Sequence, residues 1–361
     1  ILKRPVSSEF LEMGEKRQRF LIAILRFHGD VLLTTPMISE IKRIFPDSVI
    51  DLLVYKGTGS ILEFDDRINN ILEAEPSSDS NFIKIIFKEI LLLRTLRNTK
   101  YDFGVFLTTQ WRMALMARSL RGAMTAGVDD LKRRKPFWIK SFSSISPEVG
   151  DGHIVKRNLA ALVTLGLTSI DEKAELSLTI PPEAKNTIES IKKNYFIESN
   201  YCVFHPVSRR ETKLWKKESF AQLIDHYANQ GLKVVLTSGP DEKEIKYLAD
   251  IEKLTKTDLI NLGGKTTLIE LAALIKDAKF FLGLDSVASH IAAAVGTNGV
   301  SLFGPSNPNN WRPWSNKVSV ISRSKEEEFC QVHGHMEGKY KKCLCYVNPE
   351  RVIEELDKLV N

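Results

Sequence analysis

Along most of the N-terminal half of the chain, short continuous apolar runs are followed by segments in which apolar residues recur with the spacing of a helix. Short apolar runs typical of buried strands occur at residues 20–26 ("FLIAILR"), 48–55 ("SVIDLLVY") and 101–109 ("YDFGVFLTT"). Between such runs lie segments with an apolar residue at every third or fourth position, such as 81–101, a spacing that predicts amphipathic helices. Strands that alternate with helices predict a parallel sheet covered by helices on both faces.

The same alternation resumes in the C-terminal half after an interruption. The pattern breaks at residues 129–150, which are basic, aromatic and rich in serine, and strand-like runs return at 200–208, 232–240 and 279–284. We therefore expect an α/β protein with two Rossmann-like, doubly wound domains, residues 1–175 and 176–361. Ligands in this architecture bind at the carboxyl edges of the sheets, so an interdomain cleft is expected between the two edges.

Composition narrows the class of protein. Hydrophobic residues make up 43% and charged residues 27% of the chain, and the apolar runs are far shorter than the ~20 residues of a membrane-spanning helix. The first residues are polar and basic without an apolar segment, so we expect a cytoplasmic location. Neither half contains a GxGxxG fingerprint or a Walker A loop, which argues against a dehydrogenase or an ATPase and favours sugar-nucleotide chemistry.

The net charge of +6 is concentrated in the N-terminal half. Residues 1–170 contain 25 Lys and Arg against 19 Asp and Glu, whereas the rest of the chain contains 26 of each. Such an excess indicates an anionic partner, either nucleic acid, acidic lipid headgroups or a phosphorylated substrate, unless it is simply a solvated surface. The stretch "KRRKPFWIK" at 132–140 combines five basic residues with two aromatic ones. We expect this stretch to contact acceptor phosphates or a membrane surface rather than remain a plain solvated loop.

The four cysteines do not form a disulfide framework in a chain of this length. We expect Cys202, in an apolar strand, to be a buried small hydrophobe. Cys330, Cys343 and Cys345 lie near His333 and His335, but this spacing fits no common zinc module. The chain also lacks a DxD-like metal motif, so we expect no essential metal.

The stretch "KFFLGLDSVASHIAAAVG" places Asp285 and Ser286 in the turn between an apolar strand and a helix of small residues. The unpaired amides of the first helical turn and the helix dipole form an anion site, and small side chains let a diphosphate approach closely. Asp285 would accept hydrogen bonds from ligand hydroxyls. An ordinary helix N-cap is the alternative interpretation.

Two further stretches in the C-terminal half suggest contacts with a nucleotide. "FHPVSRRETKLWKKESF" presents Ser208 and Lys213 after a strand, which suits a leaving diphosphate, although a solvated basic loop has the same composition. "LTSGPDEKE" places Glu242 where a carboxylate would bind a ribose diol, with Glu244 as an alternative, unless these acids only cap a helix.

Near the N-terminus, "RFHGD" ends a strand with a carboxylate, Asp30, in the turn to the next helix. A carboxylate there can act as a general base on an acceptor hydroxyl. His28 has a more convenient ordinary pKa for the same role, and helix capping by Asp30 is the structural alternative.

Taken together, these stretches resemble the lipopolysaccharide core heptosyltransferases of glycosyltransferase family 9. The resemblance covers roughly residues 20 to 355 and depends on three segments, at 26–55, 205–224 and 282–314. The stretches "LRFHGDVLLTTP" and "KCLCYVNPERVIEEL" most resemble the heptosyltransferase III branch.

The resemblance implies a GT-B arrangement and an inverting transfer of heptose from ADP-L-glycero-D-manno-heptose to an inner-core heptose, with Asp30 as general base. It also implies an enzyme peripherally associated with the cytoplasmic face of the inner membrane. We expect no cofactor, no essential metal and no nucleic-acid partner. The C-terminal domain would bind ADP-heptose through Ser208, Lys213, Glu242, Asp285, Ser286, Val287 and Ala288. The N-terminal domain would bind the lipid A-core lipopolysaccharide acceptor through Arg26, His28, Lys132, Arg133 and Arg134.

Two alternatives remain open from the residues alone. A sugar-nucleotide epimerase or hydrolase on the same two-domain frame would act on the donor without a lipid acceptor. A non-catalytic binder of anionic lipid or nucleic acid would use only the basic half of the chain, and it would not need the site at Asp285.

Overall fold

The computed structural model describes residues 17–76, 82–130, 133–147, 152–167, 174–322, 344 and 347–360. The chain divides into two compact units, Ile1–Leu176 and Ser177–Asn361. None of the helices in the described part of the chain is both long and apolar enough to span a bilayer.

The N-terminal unit contains a six-stranded parallel sheet with the strand order β3-β2-β1-β4-β5-β6. Its central strands are almost fully buried because helices cover both faces, and this explains their continuous apolar sequences. The order reverses at β1, so the chain leaves β1 at a topological switch point. The strands are β1 Arg19–Ile24, β2 Val49–Tyr55, β3 Asn70–Ala74, β4 Phe103–Phe106, β5 Met124–Val128 and β6 Ser144–Ser146.

The structure describes six helices in this unit, and a 3₁₀ turn, Thr58–Leu62, lies between β2 and β3. The second and sixth helices pack together on one face of the sheet, whereas the third, fourth and fifth share a hydrophobic core on the other. That core includes Leu96, Met116 and Trp138. The helices are α1 His28–Leu32, α2 Thr35–Ile44, α3 Phe82–Asn98, α4 Trp111–Ser119, α5 Pro136–Ile139 and α6 Ile154–Thr164.

The C-terminal unit repeats the architecture with a second six-stranded parallel sheet, of order β12-β11-β10-β7-β8-β9. Its order reverses between β7 and β10, which pair directly through Gly283 and His205. The loops that follow these two strands therefore lie side by side. The strands are β7 Tyr201–His205, β8 Lys233–Ser238, β9 Ile260–Gly263, β10 Phe281–Leu284, β11 Gly299–Phe303 and β12 Val318–Ser322.

Seven described helices and a 3₁₀ turn, Glu211–Lys213, complete this unit. The helix that follows β10 begins at Val287 and ends at Val295, and Gly296 after it has the left-handed conformation (φ 76°) that closes the last turn. The helices are α7 Pro182–Asn194, α8 Lys217–Asn229, α9 Glu242–Leu254, α10 Leu268–Lys276, α11 Val287–Val295, α12 Pro308–Trp311 and α13 Pro349–Val360.

The expected α/β fold with two doubly wound parallel sheets is confirmed. Residues 129–150, where the apolar pattern breaks, nevertheless contain α5 and the short strand β6. The sequence gives little sign of β6 because it has one apolar residue among its three positions.

Candidate active site

Asp30 lies beyond the carboxyl end of β1, in the first turn of α1. The N-cap residue of α1 is Phe27, which has an extended backbone (φ −92°, ψ 169°) and makes no side-chain capping bond. N-capping therefore does not account for Asp30, although its position suits a negative charge at a helix N-terminus.

Arg26 orients the Asp30 carboxylate. Its Nε lies 2.7 Å from Asp30 Oδ1, and the Asp30 side chain is only 13% exposed. Arg26, which we expected to bind the acceptor, thus contacts the candidate base in this structure. Its contact with an acceptor remains a prediction.

His28 lies on the same short helix but is oriented by a neighbouring loop. Its Nε2 donates to the backbone oxygen of Gly57 at 3.2 Å, and burial lowers the pKa of His28 below its ordinary value. Gly57 has the left-handed backbone (φ 79°) that glycine adopts at little cost. His28 is therefore neutral at pH 7, and Nδ1 is its remaining acceptor.

The basic stretch before α5 is partly neutralised. Arg134 forms a two-pronged ion pair with Asp129, which lowers the pKa of that carboxyl group. The guanidinium of Arg133 lies over the ring of Trp111, 5.0 Å from its centroid. Lys132 lies outside the described residues. The proposed contacts of these three cations with an acceptor remain predictions.

In the C-terminal unit, Ser208, Lys213 and Asp285 come together where β7 and β10 end. Lys213 Nζ lies 2.6 Å from Asp285 Oδ2, and the two side chains are only 17% and 8% exposed. The Ser208 hydroxyl and Lys213 Nζ also donate to the backbone oxygen of Asp285, at 3.3 and 3.4 Å. This pairing follows from the topology, because residues 72 and 77 positions apart meet at the strand-order reversal.

Ser286 begins α11 next to this cluster. Its backbone is extended (φ −149°, ψ 174°), and its buried Oγ has no hydrogen-bond partner among the described residues. Val287 is half-buried and Ala288 fully buried, so this end of the helix carries no bulky exposed side chain. A buried hydroxyl without a protein partner among the described residues and the free amides of a helix N-terminus are suited to binding an anionic oxygen.

The two acidic residues of the β8–α9 turn differ in their surroundings. Glu242 is exposed at the first position of α9, whereas Asp241 is the N-cap and accepts from Lys243 N at 2.9 Å. Glu244 is half-buried and accepts from Gly239 N at 2.9 Å, and burial raises its pKa. Glu244 is thus the carboxylate held against the carboxyl end of β8, while Glu242 faces solvent.

A buried histidine that we did not single out lies at the end of β7. His205 Nδ1 donates to Thr237 Oγ1 at 3.0 Å, and the Thr237 hydroxyl donates to Phe204 O. Burial lowers the pKa of His205 to about 4, so the ring is neutral at pH 7. The sequence "FHPV" gave no sign that His205 is buried, because a strand sequence alone does not show which way the ring points.

Within the described ranges, no three side chains of His, Cys, Asp or Glu come together as they would around a metal ion. Cys330, Cys343, Cys345 and the two histidines near them lie outside those ranges. Cys202 is buried as expected, and burial raises its pKa far above the ordinary value of a thiol.

Two Rossmann-like units with charged residues at the carboxyl ends of their switch-point strands are typical of nucleotide-sugar glycosyltransferases of the GT-B class. A family model described as "Glycosyltransferase family 9 (heptosyltransferase)" matches residues 90–341. The chain belongs to this family and is therefore a glycosyltransferase, as the resemblance predicted.

Individual relatives agree with this assignment. The chain is 38% identical, over 81% of its length and 86% of the relative's, to a lipopolysaccharide heptosyltransferase 3 of Escherichia coli. It is 35% identical to the protein of the same name in E. coli K12, over 93% of this chain and 96% of that one. The solved E. coli heptosyltransferase WaaC with ADP has the same fold, with a TM-score of 0.72 and 18% identity over 95% of this chain and 100% of that one.

Proposed function

We propose that this enzyme transfers heptose from ADP-L-glycero-D-manno-heptose to an inner-core heptose of lipopolysaccharide, as an enzyme of the heptosyltransferase III type. The observation that carries the proposal is the 35–38% identity, over most of the chain, to two E. coli proteins named lipopolysaccharide heptosyltransferase 3. This relationship favours a transferase over the epimerase, hydrolase and non-catalytic binder considered above.

The C-terminal unit is the proposed donor domain. Lys213 would neutralise the diphosphate of ADP-heptose, with Ser208 and the α11 amides at Ser286, Val287 and Ala288 as further donors. Asp285, held by Lys213, would accept hydrogen bonds from heptose hydroxyls. The binding of ADP by a solved relative of the same fold supports this assignment.

A carboxylate near the carboxyl end of β8 is the proposed acceptor of hydrogen bonds from the ribose of the donor. Glu242 was our expectation for this role, and Glu244 was its alternative. The geometry favours Glu244, because its carboxylate is fixed by Gly239 N whereas Glu242 is exposed.

Asp30 is the proposed general base in the N-terminal unit. Its ionised carboxylate would remove the proton of the acceptor hydroxyl as that oxygen forms a bond to the anomeric carbon. The bond from this carbon to ADP breaks at the same time, and the electron pair leaves with the diphosphate. Attack from the face opposite ADP inverts the anomeric centre. Arg26 supports this role because it holds the carboxylate in one orientation.

The N-terminal unit is the proposed acceptor domain, and its basic character suits an anionic lipid-linked saccharide. Arg26, His28, Lys132, Arg133 and Arg134 are the proposed acceptor contacts. The enzyme would work at the cytoplasmic surface of the inner membrane without a metal, and we expect no nucleic-acid partner.

A transfer assay tests the proposal. The purified chain is mixed with ADP-heptose and a truncated lipopolysaccharide that carries two heptoses, and the products are examined by mass spectrometry. We expect the acceptor to gain one heptose, with one ADP released per transfer. ADP release that is independent of acceptor would indicate a hydrolase instead, and a changed sugar without ADP release would indicate an epimerase.

A further inference from the structure

Helix α3 exposes large apolar side chains on the side that faces away from the core. Phe87 is 69% exposed and Leu91 55%, and Ile86 and Ile90 are exposed beside them. The opposite side of the same helix packs Leu96 into the core of the N-terminal unit. Four exposed apolar residues at positions i, i+1, i+4 and i+5 form one continuous stripe.

The apolar surface continues onto the neighbouring helices. α3 packs against α4, and α4 against α5, on the same face of the sheet. Leu115 of α4 and Phe137 and Ile139 of α5 are all between 43% and 48% exposed. We call the outer surface of α3, α4 and α5 the basic-apolar face.

An open, shallow cavity of about 370 Å³ lies at the surface between the end of α4 and the segment before β6. Arg118, Arg121 and Lys140 line it, and all three are exposed. Within the described residues, none of the three forms an ion pair with a carboxylate, whereas nearby Arg112 is paired with Glu89. Three cations that have no carboxylate partner among the described residues, and that line one cavity, attract an anion the size of a phosphate group.

This cavity is separate from the candidate active site. It is lined by Ala123 and Thr125, at the amino end of β5, whereas Asp30 follows the carboxyl end of β1. Because all strands of the sheet are parallel, the two features lie at opposite edges. The cavity is therefore not a part of the acceptor site proposed above.

We propose that the basic-apolar face docks on the surface of an anionic lipid bilayer, with a lipid phosphate in the cavity between Arg118, Arg121 and Lys140. The α3 side chains would enter the boundary between headgroups and acyl chains, as those of interfacial amphipathic helices do. The inference rests on the proposed function to the extent that a lipid-linked acceptor brings the enzyme to a membrane.

Charge and side-chain type favour a bilayer over other partners. Helices α3, α4 and α5 contain one acidic residue, Glu89, and it is already paired with Arg112. Arg94 and Arg97 add exposed cations beside the apolar stripe. A nucleic acid accepts single apolar wedges between its bases but no continuous apolar stripe along a helix, whereas a bilayer accepts apolar and cationic groups together.

Vesicle sedimentation tests this proposal without any transfer reaction. The full chain is mixed with vesicles of phosphatidylcholine alone or of equal parts phosphatidylcholine and phosphatidylglycerol. We expect binding to the anionic vesicles only, weakened by salt. Since each basic residue at such a surface contributes roughly fivefold to binding, R118S/R121S/K140S should reduce it roughly a hundredfold. F87S/L91S should also reduce it, because it removes the apolar insertion.

Matched variants in the C-terminal unit serve as controls. K185S/K193S/K233S removes the same charge, and F196S/L254S removes a similar exposed apolar pair. Both should bind anionic vesicles like the native chain. All variants should transfer heptose normally to a deacylated, water-soluble acceptor, and this readout separates failure of the docking proposal from failure of the proposed function.

Three results would overturn the proposal. The first is no binding of the native chain to anionic vesicles, and the second is binding that survives both variants of the basic-apolar face. The third is a dimer of the native chain that F87S/L91S dissociates while vesicle binding is unchanged, because the face would then be an interface between two copies.

Discussion

At the scale of single residues, the proposed chemistry depends on charges that are held by their neighbours. Asp285 is nearly buried, and its carboxylate is paired with the Lys213 ammonium 2.6 Å away, as buried charges in proteins generally are. On the other unit, Arg26 holds the candidate base, Asp30. The sequence identified these carboxylates as candidates. It did not show their partners, because Arg26 precedes α1 and Lys213 is 72 residues from Asp285.

Replacement of Lys213 by methionine should weaken donor binding. A hydrogen bond to a charged group contributes about 1.5–3 kcal/mol, so the dissociation constant for ADP should rise roughly tenfold to a hundredfold. Isothermal titration calorimetry measures the dissociation constant for ADP. The titration is run well below the melting temperature of the variant, because Asp285 loses its ion-pair partner and the fold is less stable. Lys216→Met, at an exposed position nearby, is the control. Equal ADP affinity in Lys213→Met and the native chain would remove Lys213 from the donor site.

His205 should make the stability of the C-terminal unit depend on pH. Its pKa is lowered from 6.5 to about 4 in the folded state, so the unfolded chain binds more protons between these values. The free energy of unfolding therefore decreases as the pH falls, by about 2 kcal/mol between pH 7 and pH 5 from this group alone.

His205→Gln should lose that part of the pH dependence. Urea unfolding of the native chain and the variant at both pH values, followed by a probe in the C-terminal unit, measures the difference. An identical decrease in both proteins would show that His205 is charged, or accessible to protons, in the folded state.

At the scale of helices and strands, apolar periodicity predicts those elements whose sequences carry a strong pattern. β1, β7 and β10 are continuous apolar runs, and the candidate residues follow their carboxyl ends. β5, β6 and β12 were not predicted, because β5 contains threonine and glycine, β6 is short and β12 alternates with serine. Periodicity also placed both Glu242 and Glu244 on α9. It did not predict that Glu244 lies on the side of the helix that contacts Gly239.

Helix α10 begins with a reciprocal capping box that should stabilise the C-terminal unit. The Thr267 side chain accepts from Glu270 N at 3.2 Å, and the Glu270 carboxylate accepts from Thr267 N at 2.7 Å. Thr267→Ala should lower the free energy of unfolding by about 1 kcal/mol. The variant loses the hydrogen bond from Glu270 N to the Thr267 hydroxyl, and the reciprocal bond from Thr267 N to the Glu270 carboxylate weakens with it.

Chemical denaturation measures this change. Thr187→Ala is the control, since Thr187 is exposed within α7 and alanine is a better helix former there. A loss of stability as large in Thr187→Ala as in Thr267→Ala would contradict a specific role for the cap.

At the scale of the whole molecule, the sequence predicted two domains of the same architecture and placed the excess positive charge in the first. It did not predict which cations remain available. Arg134 is neutralised by Asp129, whereas Arg118 and Arg121 line a cavity without a carboxylate partner among the described residues. Which cations are ion-paired depends on which loops the fold brings together, and this cannot be predicted from composition.

The central claim is that the Asp30 carboxylate is the general base of heptose transfer. Asp30→Asn keeps the size of the side chain and removes its ability to accept the proton. A general base contributes roughly a hundredfold to ten-thousandfold to the rate. ADP affinity should stay unchanged, because the proposed donor contacts lie in the other unit.

The measurement is the rate of heptose transfer from ADP-heptose to the two-heptose acceptor, followed by mass spectrometry for the native chain, Asp30→Asn and the exposed control Asp66→Asn. We predict that Asp30→Asn loses at least roughly a hundredfold in rate. Asp66→Asn should transfer at the native rate, and all three proteins should bind ADP equally. Transfer by Asp30→Asn at the native rate would contradict the account, because Asp30 would then not be the base.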